Sequence, residues 1–575
     1  MLQLDEVPPL DSGAEELGID SLVAVEIRSW FLNELDVDIP VLKILGAAQV
    51  TDMVELAIQK LPAELTPDVR KETGPRPVNF DQGSHQTPTI SAGQSSLASS
   101  SDTPHDSDDG AGGLPTPSTE HSTILHAETI ARKERMSYGQ SRFWFLRSML
   151  EDQTAFNIVF LIQLNGEIDT EQLGRAFQKI SYRHSALRTR FVDSDDEPMQ
   201  EILPEPKFQI EYRKITSRNE VDNEFTRLKS REYKLEKGDL MQISLLSYSS
   251  TQHFLAIGYH HINMDSMSLQ VLLKDLDKAY RGLPLGPGSL QYVEHSTRQR
   301  KAFEQGQMNR ELAYWKKTFS DFPQVLPLLP YSKVRARQPH TSYAHSRVDA
   351  KISSKVASSI KEACIKYKIS PFHFHLATFK TLLARFLKID DLCIGMTDAN
   401  RTELNELGSV GLYLNMLPLR FRQQSNQKFT DSAKEAQSKV RNALANSRLP
   451  FDVLIEQLNP ERSMEYSPIF QAFIDYKPPI EMKPDLFKCK LGEERYDVGQ
   501  TPYDIMLSIV DDAQGPGVVI FQVQSSLYSR NEADVLIRSY MWILEQFAAK
   551  PESSLNSVTL HDPTYVEGTL RKGRG

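Results

Sequence analysis

The feature that most constrains this chain is a long polar stretch between residues 62 and 129. It is built of Ser, Thr, Pro, Gly, Asp and His with few large apolar side chains, as at 94–100 and 115–118. A segment of this composition buries too little surface to offset the entropy cost of ordering it. We therefore predict a flexible, disordered linker at 62–129, which divides the 575 residues into a small unit at 1–61 and a main globular part that begins near residue 130.

In the main part, two adjacent histidines lie where a predicted strand gives way to a loop. The alternating apolar run at 254–259 predicts the strand, and apolar residues at helical spacing over 267–276 predict a helix after the loop. Neighbouring side chains of a strand point to opposite faces, so at most one of His260 and His261 can face a given cavity. This pattern indicates one chemical and one structural histidine. A purely structural interpretation stays open, because Asp265 is well placed to cap the helix and paired histidines are often core or metal residues.

Charge, cysteines and hydropathy limit the classes of function. A net charge of -10 with no basic stripe argues against nucleic acid as a partner. The three scattered cysteines, Cys364, Cys393 and Cys489, show no Cys-x-x-Cys spacing, which favours a reducing compartment and indicates no metal site. The chain has neither a signal peptide nor an apolar run of about 18 residues, so we predict a cytoplasmic protein without a membrane span.

The unit at 1–61 carries its own motif. Ser21 opens a predicted helix, whose positive N-terminal end favours the negative charge of a phosphodiester, although Ser21 or Asp20 could equally be a plain cap. The longer pattern Leu-Gly-Ile-Asp-Ser-Leu-x-x-Val-Glu-Ile-Arg at 17–28 resembles an acyl carrier protein of a polyketide synthase. The resemblance implies that Ser21 carries 4'-phosphopantetheine. Because only 20 residues precede this serine, we expect a partial carrier that lacks its first helix.

The main part resembles the condensation domains of nonribosomal peptide synthetases over about residues 130–560. The active-site signature His-His-x-x-x-Asp stands at 260–265, with Ser266 where the family usually has Gly. Further motifs that match the family lie in the same order along the chain, at 136–146, 183–191, 410–420, 449–452 and 467–471. Within the first of these, we predict Phe143, Trp144 and Phe145 to be core residues.

The resemblance implies an α/β fold of two subdomains that are each like chloramphenicol acetyltransferase and together form a V-shaped pseudodimer. Each would be a mixed sheet with helices on one face, at 130–305 and 306–562, and 563–575 would begin a linker to a missing adenylation domain. In this family each of two entrances admits one phosphopantetheine arm. The two thioester-bound substrates are then expected to meet at His261, as a general base or as a group that positions the amine.

The resemblance also implies roles for the other site residues. His260 is expected to be structural, and Asp265 is expected to form an ion pair with Arg401 that orients the active-site loop without transferring a proton. Ser266 is expected near the substrate channel. Asn415 is expected either there or as a purely structural amide.

The predicted function is amide formation in a hybrid polyketide synthase and peptide synthetase, with no metal. An acyl thioester on the upstream carrier would be joined to an aminoacyl thioester on a downstream carrier. Two alternatives stay open: a non-catalytic or release-assisting fold that docks carriers, and an acyltransferase that forms an ester.

Overall fold

The computed structural model describes most of the main part of the chain and little of the segment before it. The described residues are 11, 27, 30, 31, 35, 37, 39, 43, 44, 49–61, 130–194, 197–339, 342–422, 426–477, 485–511 and 517–564. Ser21, the predicted linker at 62–129 and the tail from 565 onward lie outside them.

In the N-terminal segment, one helix is described along its length. Helix α1 (Val50–Lys60) follows Gln49, whose side chain and that of Asp52 form a capping box. Its buried residues pack in one small apolar cluster with residues from earlier in the chain: Ile27, Val37, Ile39, Ile44, Met53 and Ala57.

The first half of the main part alternates strands and helices. Its strands are β1 (Arg132–Arg135), β2 (Asn157–Asn165), β3 (Thr189–Ser194), β4 (Glu197–Ile202), β5 (Ile210–Lys214), β6 (Met241–Ser247) and β7 (Gln252–His260). Its helices are α2 (Tyr138–Met149), α3 (Thr170–Arg183), α4 (Arg218–Lys229), α5 (Ser266–Tyr280) and α6 (Tyr292–Glu304), with short 3-10 turns at Ser185–Arg188 and Leu235–Lys237.

The second half repeats this alternation. Its helices are α7 (Asn309–Thr318), α8 (Ser354–Tyr367), α9 (Pro371–Leu387), α10 (Leu404–Leu407), α11 (Phe429–Leu444), α12 (Phe451–Leu458) and α13 (Arg530–Ala549). Its strands are β8 (His345–Lys351), β9 (Asp391–Asp398), β10 (Asn415–Arg422), β11 (Ala472–Lys477), β12 (Asp485–Leu486), β13 (Cys489–Asp497), β14 (Ile505–Val510) and β15 (Val518–Gln524).

Among the described strands, two mixed sheets of six strands form the framework. One has the order β12-β13-β2-β7-β6-β5, and the other has the order β10-β9-β11-β14-β15-β8, while β1, β4 and β3 form a small separate sheet. Strands β12 and β13 come late in the chain yet extend the sheet of the first half, since β13 pairs antiparallel with β2. The two halves therefore share a sheet. The predicted boundary between residues 305 and 306 does not separate the two sheets, because β12 and β13 follow it in the chain but belong to the sheet of the first half.

The first-half sheet is covered by helices on both faces, whereas the sequence led us to expect one. Alternate residues of β2 pack into separate apolar clusters, Ile158 and Phe160 with α3 and α5 on one face and Val159 and Leu161 with α4 on the other. A strand buried on both faces tends to be continuously apolar, and β2 is apolar without a break over 158–162.

Helix α2 corrects one expectation about the core. Phe143 is buried, but Trp144 is only half-buried and Phe145 is 60% exposed. Consecutive aromatic residues of a helix point in directions about 100° apart, so only one face of α2 can enter the core. Phe145 lies instead on the wall of a large cavity.

No helix in the described ranges is long and apolar enough to cross a membrane.

Candidate active site

The site is built where β7 ends and α5 begins. Strand β7 pairs with β2 on one side and β6 on the other, and its last residue is His260. The following turn ends at Asp265, the N-cap of α5, whose carboxylate accepts a hydrogen bond from the backbone N–H of Ser268 at 2.8 Å. The predicted strand, loop and helix, and the predicted cap, are all present in the structure.

His260 is a buried, neutral histidine. Its ring nitrogen Nδ1 accepts a hydrogen bond from the backbone N–H of Ile262 at 3.2 Å, and only 1% of the residue is exposed. Burial, with smaller contributions from Arg147 and His261, lowers the pKa of His260 from 6.5 to about 3. This imidazole holds the turn at the end of β7 and lines no part of the cavity described below.

His261 lies on the cavity wall. Its backbone N–H donates to the carbonyl of Phe156 at 2.9 Å, and its ring stacks on Phe143 with centroids 5.1 Å apart and planes inclined by 28°. Nδ1 is buried and forms no hydrogen bond of good geometry with the described residues. Burial lowers the pKa of His261, and Asp265 opposes part of that effect.

Asp265 and Arg401 form the predicted ion pair. Arg401 Nη2 lies 3.2 Å from Asp265 Oδ1, and the two side chains are 0% and 4% exposed. The same Nη2 donates to the hydroxyl of Ser268 at 2.7 Å, and the backbone N–H of Tyr413 donates to Asp265 Oδ2 at 2.9 Å. The carboxylate is fully engaged in these contacts and in capping α5, so the arrangement suits support of the loop and not proton transfer.

Arg401 comes from a segment of the second half that reaches across to the first. We call residues 399–414, between β9 and β10, the strap. Besides the Asp265 contacts, the strap is held by the backbone hydrogen bond from Leu290 to Asn405 at 3.1 Å and by His295 Nδ1, which lies 2.9 Å from a carboxylate oxygen of Glu406. The ring of Tyr292 packs against the backbone of the strap at Gly411 so closely that a Cβ there would lie 2.0 Å from the ring.

A cavity of about 2130 Å³ extends from His261 between the two halves. Its wall is mostly apolar and is contributed by α2, β2 and α5 of the first half, by the strap, α12 and β11 of the second, and by the crossing strand β13. The volume is several times that of an ordinary small-molecule pocket, for which ~300–1,000 Å³ is typical.

The other two predicted site residues lie in different surroundings. Ser266 lines the cavity, as expected. Asn415 does not, because its side chain is fully used within the second half: Nδ2 donates to the carbonyls of Ser447 and Leu449 at 2.8 and 3.0 Å, and Oδ1 accepts from the backbone N–H of Phe451 at 2.9 Å. Its contacts are those of a structural amide, the second of the two roles considered for Asn415.

The motif at 183–191 supports α5 from behind. Arg183 Nε and His184 Nε2 each lie 2.9 Å from the same carboxylate oxygen of Asp275. Because Asp275 is on α5, these contacts hold the helix that carries Asp265 at its N-terminus.

Arg142 and Asp452 were not predicted as site residues, although both lie in motifs that match the family. Arg142 on α2 and Asp452 on α12 line the cavity, and Arg142 Nη1 lies 3.4 Å from Asp452 Oδ2. They are 310 residues apart in sequence. The one sequence signal that could have indicated them as site residues is that each is a charged residue within an apolar run.

In the described part of the chain, no three His, Cys, Asp or Glu side chains are grouped so that they could hold a metal ion.

Two protein families match this chain. The family described as Condensation domain matches residues 131–567, and the family described as Phosphopantetheine attachment site matches residues 1–57. The second match includes Ser21, which lies outside the described residues.

The relatives are long multifunctional proteins of fungi. A polyketide synthase-nonribosomal peptide synthetase of Aspergillus flavipes is 38% identical over 100% of this chain, which spans 16% of that protein. A hybrid PKS-NRPS synthetase of Penicillium oxalicum is 36% identical over 100% of this chain, again 16% of its own length. The chain thus corresponds to about one sixth of the curated relatives that it matches.

Solved structures share the fold of the main part. The condensation domain of the monacolin K polyketide synthase MokA is 29% identical, with a TM-score of 0.70 over 74% of this chain and 100% of that one. A four-domain nonribosomal peptide synthetase bound to AMP and glycine is 18% identical, with a TM-score of 0.67 over 78% of this chain and 35% of its own. These matches confirm the predicted α/β fold of two chloramphenicol acetyltransferase-like subdomains.

Proposed function

Because this chain belongs to the condensation domain family, we propose that it forms an amide bond between two carrier-bound substrates. The acyl donor would be a polyketide chain held as a thioester on an upstream carrier. The acceptor would be the amine of an aminoacyl thioester on a downstream carrier. The names of the relatives, which are hybrid polyketide synthase and peptide synthetase proteins, support this pairing of substrates.

The observation that carries the proposal is the position of His261. This imidazole lies on the wall of a cavity of about 2130 Å³ to which both halves contribute. An apolar cavity of this size can hold an acyl chain together with the flexible arms that deliver the two substrates. His260, through Ile262, and the pair of Asp265 and Arg401 hold the loop that carries the imidazole, and the ring itself stacks on Phe143.

The chemistry proposed for His261 is proton management at the attacking amine. An ammonium ion is not a nucleophile, so the amine must be neutral when it attacks the thioester carbonyl; the C–N bond then forms and the C–S bond breaks. A neutral imidazole can accept the amine proton or hold the amine by a hydrogen bond, and general base help is typically worth ~10² to 10⁴ in rate. Burial lowers the pKa of His261 and so favours the neutral form that either role requires.

We propose Ser21 as the attachment point of 4'-phosphopantetheine on the upstream carrier. The match of residues 1–57 to the phosphopantetheine attachment family supports this role. When bound, the group supplies a thiol on a long flexible arm. The carrier segment contributes 12 of the acidic residues and 3 of the basic residues of the chain, so it is strongly negative. A polyketide acyl chain loaded on Ser21 would be the acyl donor for the reaction at His261.

A second candidate function is release of a finished polyketide without an amino acid partner. It is favoured by the match to the condensation domain of MokA, which is named as part of a polyketide synthase. In that case the acyl chain would pass to water or to an alcohol, and the product would be an acid or an ester instead of an amide.

The test is a reaction between an acyl-loaded complete carrier and an aminoacyl-loaded downstream carrier, followed by intact mass spectrometry of both carriers. We expect the intact protein to transfer the acyl group to the aminoacyl carrier, and His261→Ala to lose transfer by at least about 10²-fold, the lower end for acid-base catalysis. Absence of an amide product from the intact protein would refute the proposal, and an acid or ester product would favour the second candidate.

The matched control is another histidine changed in the same way. His561 is half-buried near the C-terminal end, where its Nδ1 lies 2.8 Å from the hydroxyl of Ser539, and it is absent from the cavity wall. We expect His561→Ala to keep the acyl transfer rate within about twofold, because no general acid-base group is removed from the site.

A further inference from the structure

Arg142 contacts the same aromatic ring as the imidazole that the proposed function places at the reaction centre. Its guanidinium carbon lies 5.3 Å from the centroid of the Phe143 ring. The same ring is stacked on His261 at 5.1 Å between centroids. The cation and the imidazole thus contact the same aromatic ring on the wall of the cavity, and the charge of Arg142 acts on the pKa of His261.

An acidic residue from the opposite half holds Arg142 in place. Asp452 Oδ2 lies 3.4 Å from Arg142 Nη1, and the side chains are 26% and 15% exposed. Asp452 belongs to α12 of the second half and Arg142 to α2 of the first, so their contact depends on the two halves meeting at the cavity. Burial raises the pKa of Asp452, and Arg142 opposes that effect.

Other charged and titratable groups also surround His261, and they act in opposite directions. Asp265, at the start of α5, favours the charged imidazole, whereas Arg142 favours the neutral one. Arg401 on the strap is paired with Asp265. The neighbours His260, Tyr343 and Tyr503 are buried and uncharged near neutral pH: burial lowers the pKa of His260 to about 3, raises that of Tyr343 to about 12 and raises that of Tyr503. Arg142 is therefore the cation among these groups that opposes Asp265.

We propose that Arg142, anchored by Asp452, is a positioning residue that keeps the imidazole of His261 neutral and stacked against Phe143. Arg142 acts on His261 through the field of its charge and through the Phe143 ring that both side chains contact, and it does not touch the reacting atoms. The proposal rests on the proposed function only in naming His261 as the reacting imidazole.

The test measures the protonation of His261 directly. Diethyl pyrocarbonate acylates the neutral imidazole, so its rate of reaction with His261, followed by peptide mass spectrometry between pH 5 and pH 8, gives the midpoint of protonation. Removal of a cation at this range should raise that midpoint by about one pH unit in Arg142→Gln. Arg142→Lys keeps the charge and should stay within about 0.3 of a pH unit of the unaltered protein.

Asp452→Asn is the second variant, and it separates an electrostatic role from a structural one. It removes the negative charge but keeps a side-chain oxygen that can still accept from Arg142 Nη1, so Arg142 stays in place and the midpoint of His261 should move to lower pH, opposite to Arg142→Gln. A pair that served only to hold the fold would shift both variants in the same direction. An unchanged midpoint in Arg142→Gln, or a rise in Asp452→Asn, would overturn the proposal, and if Arg142→Gln does not fold, Asp452→Asn decides alone.

The acid limb of the pH profile for acyl transfer should follow the labelling midpoints in each variant. Because the labelling requires no substrate, the two hypotheses fail separately. Opposite shifts in the two variants without an amide product would leave this inference intact and refute the proposed function. Amide formation with identical midpoints would do the reverse.

Discussion

At the scale of single residues, the site depends on the hydrogen-bond and ion-pair partners of its buried polar atoms. The carboxylate of Asp265 accepts hydrogen bonds from the N-terminus of α5, from the backbone N–H of Tyr413 and from the guanidinium of Arg401. A carboxylate that caps a helix is stabilised by the helix dipole and by charge-assisted hydrogen bonds. One acidic side chain therefore joins the start of α5 to the strap.

Arg401→Met should be strongly destabilising, because it leaves Asp265 buried without its cation. Breaking a buried ion pair from one side typically costs about 3–5 kcal/mol. Asp265→Asn together with Arg401→Met should lose less than the sum of the two single changes, which a double-mutant cycle of urea denaturation would measure. Arg462→Met, at an exposed position, should change the free energy of unfolding by less than about 0.5 kcal/mol. Additive losses would mean that the pair contributes no coupling.

At the scale of elements, the strap determines whether the active-site loop is held. Its backbone accepts from Asp265 N–H at Gly411 and donates to the carboxylate at Tyr413. The close approach of the Tyr292 ring to Gly411 leaves no room for a side chain. The absence of a Cβ is thus what lets the strap lie flat on α6.

Gly411→Ala should displace the backbone of the strap away from α6, because its Cβ would lie 2.0 Å from the Tyr292 ring. We expect faster hydrogen exchange at the Tyr413 N–H and a loss of acyl transfer of at least about tenfold, as misplacement by about 1 Å can cost up to 10²-fold. Gly288→Ala is the control, since a Cβ there would meet no atom within 4 Å. Unchanged exchange in Gly411→Ala would show that the ring moves aside instead.

At the scale of the whole molecule, both halves keep histidines uncharged in their cores. His260 belongs to the first half, and His373 and His375 belong to α9 of the second. Burial lowers the pKa of each from 6.5 to about 3. The unfolded chain binds protons at these three side chains below pH ~6.5, whereas the folded chain does not.

Stability should therefore fall as the pH is lowered from about 6.5 toward 3, and rise again when the pH is restored. Three extra protons bound by the unfolded state correspond to a slope of up to about 4 kcal/mol per pH unit near pH 5. The midpoint of urea denaturation, followed between pH 5 and pH 7, measures this slope. In His375→Gln, the slope should decrease by about one third, in proportion to the protons removed. An equal slope in the variant would contradict the assignment of His375 as neutral.

The strand, loop and helix that carry His260, His261 and Asp265 were predicted from the sequence. Helix α5, strand β7 and the cap at Asp265 were predicted from local patterns, because such patterns report backbone preference and the face that is buried. The pairing of Asp265 with Arg401 and the family itself came from motifs read together. The surroundings of Asn415, the exposure of Phe145 and the second helical layer over β2 did not follow, since each depends on which distant element packs nearby.

The sequence by itself determined that the chain has a histidine pair at a strand end, an acidic helix cap after it and a carrier motif before a polar linker. Local hydrogen bonding and side-chain periodicity suffice for those features. Only the tertiary structure decided that β13 completes the first-half sheet, that the strap carries Arg401 to Asp265 and that Arg142 meets Asp452. These contacts join residues more than a hundred positions apart, and their partners are selected by packing, which no local pattern encodes.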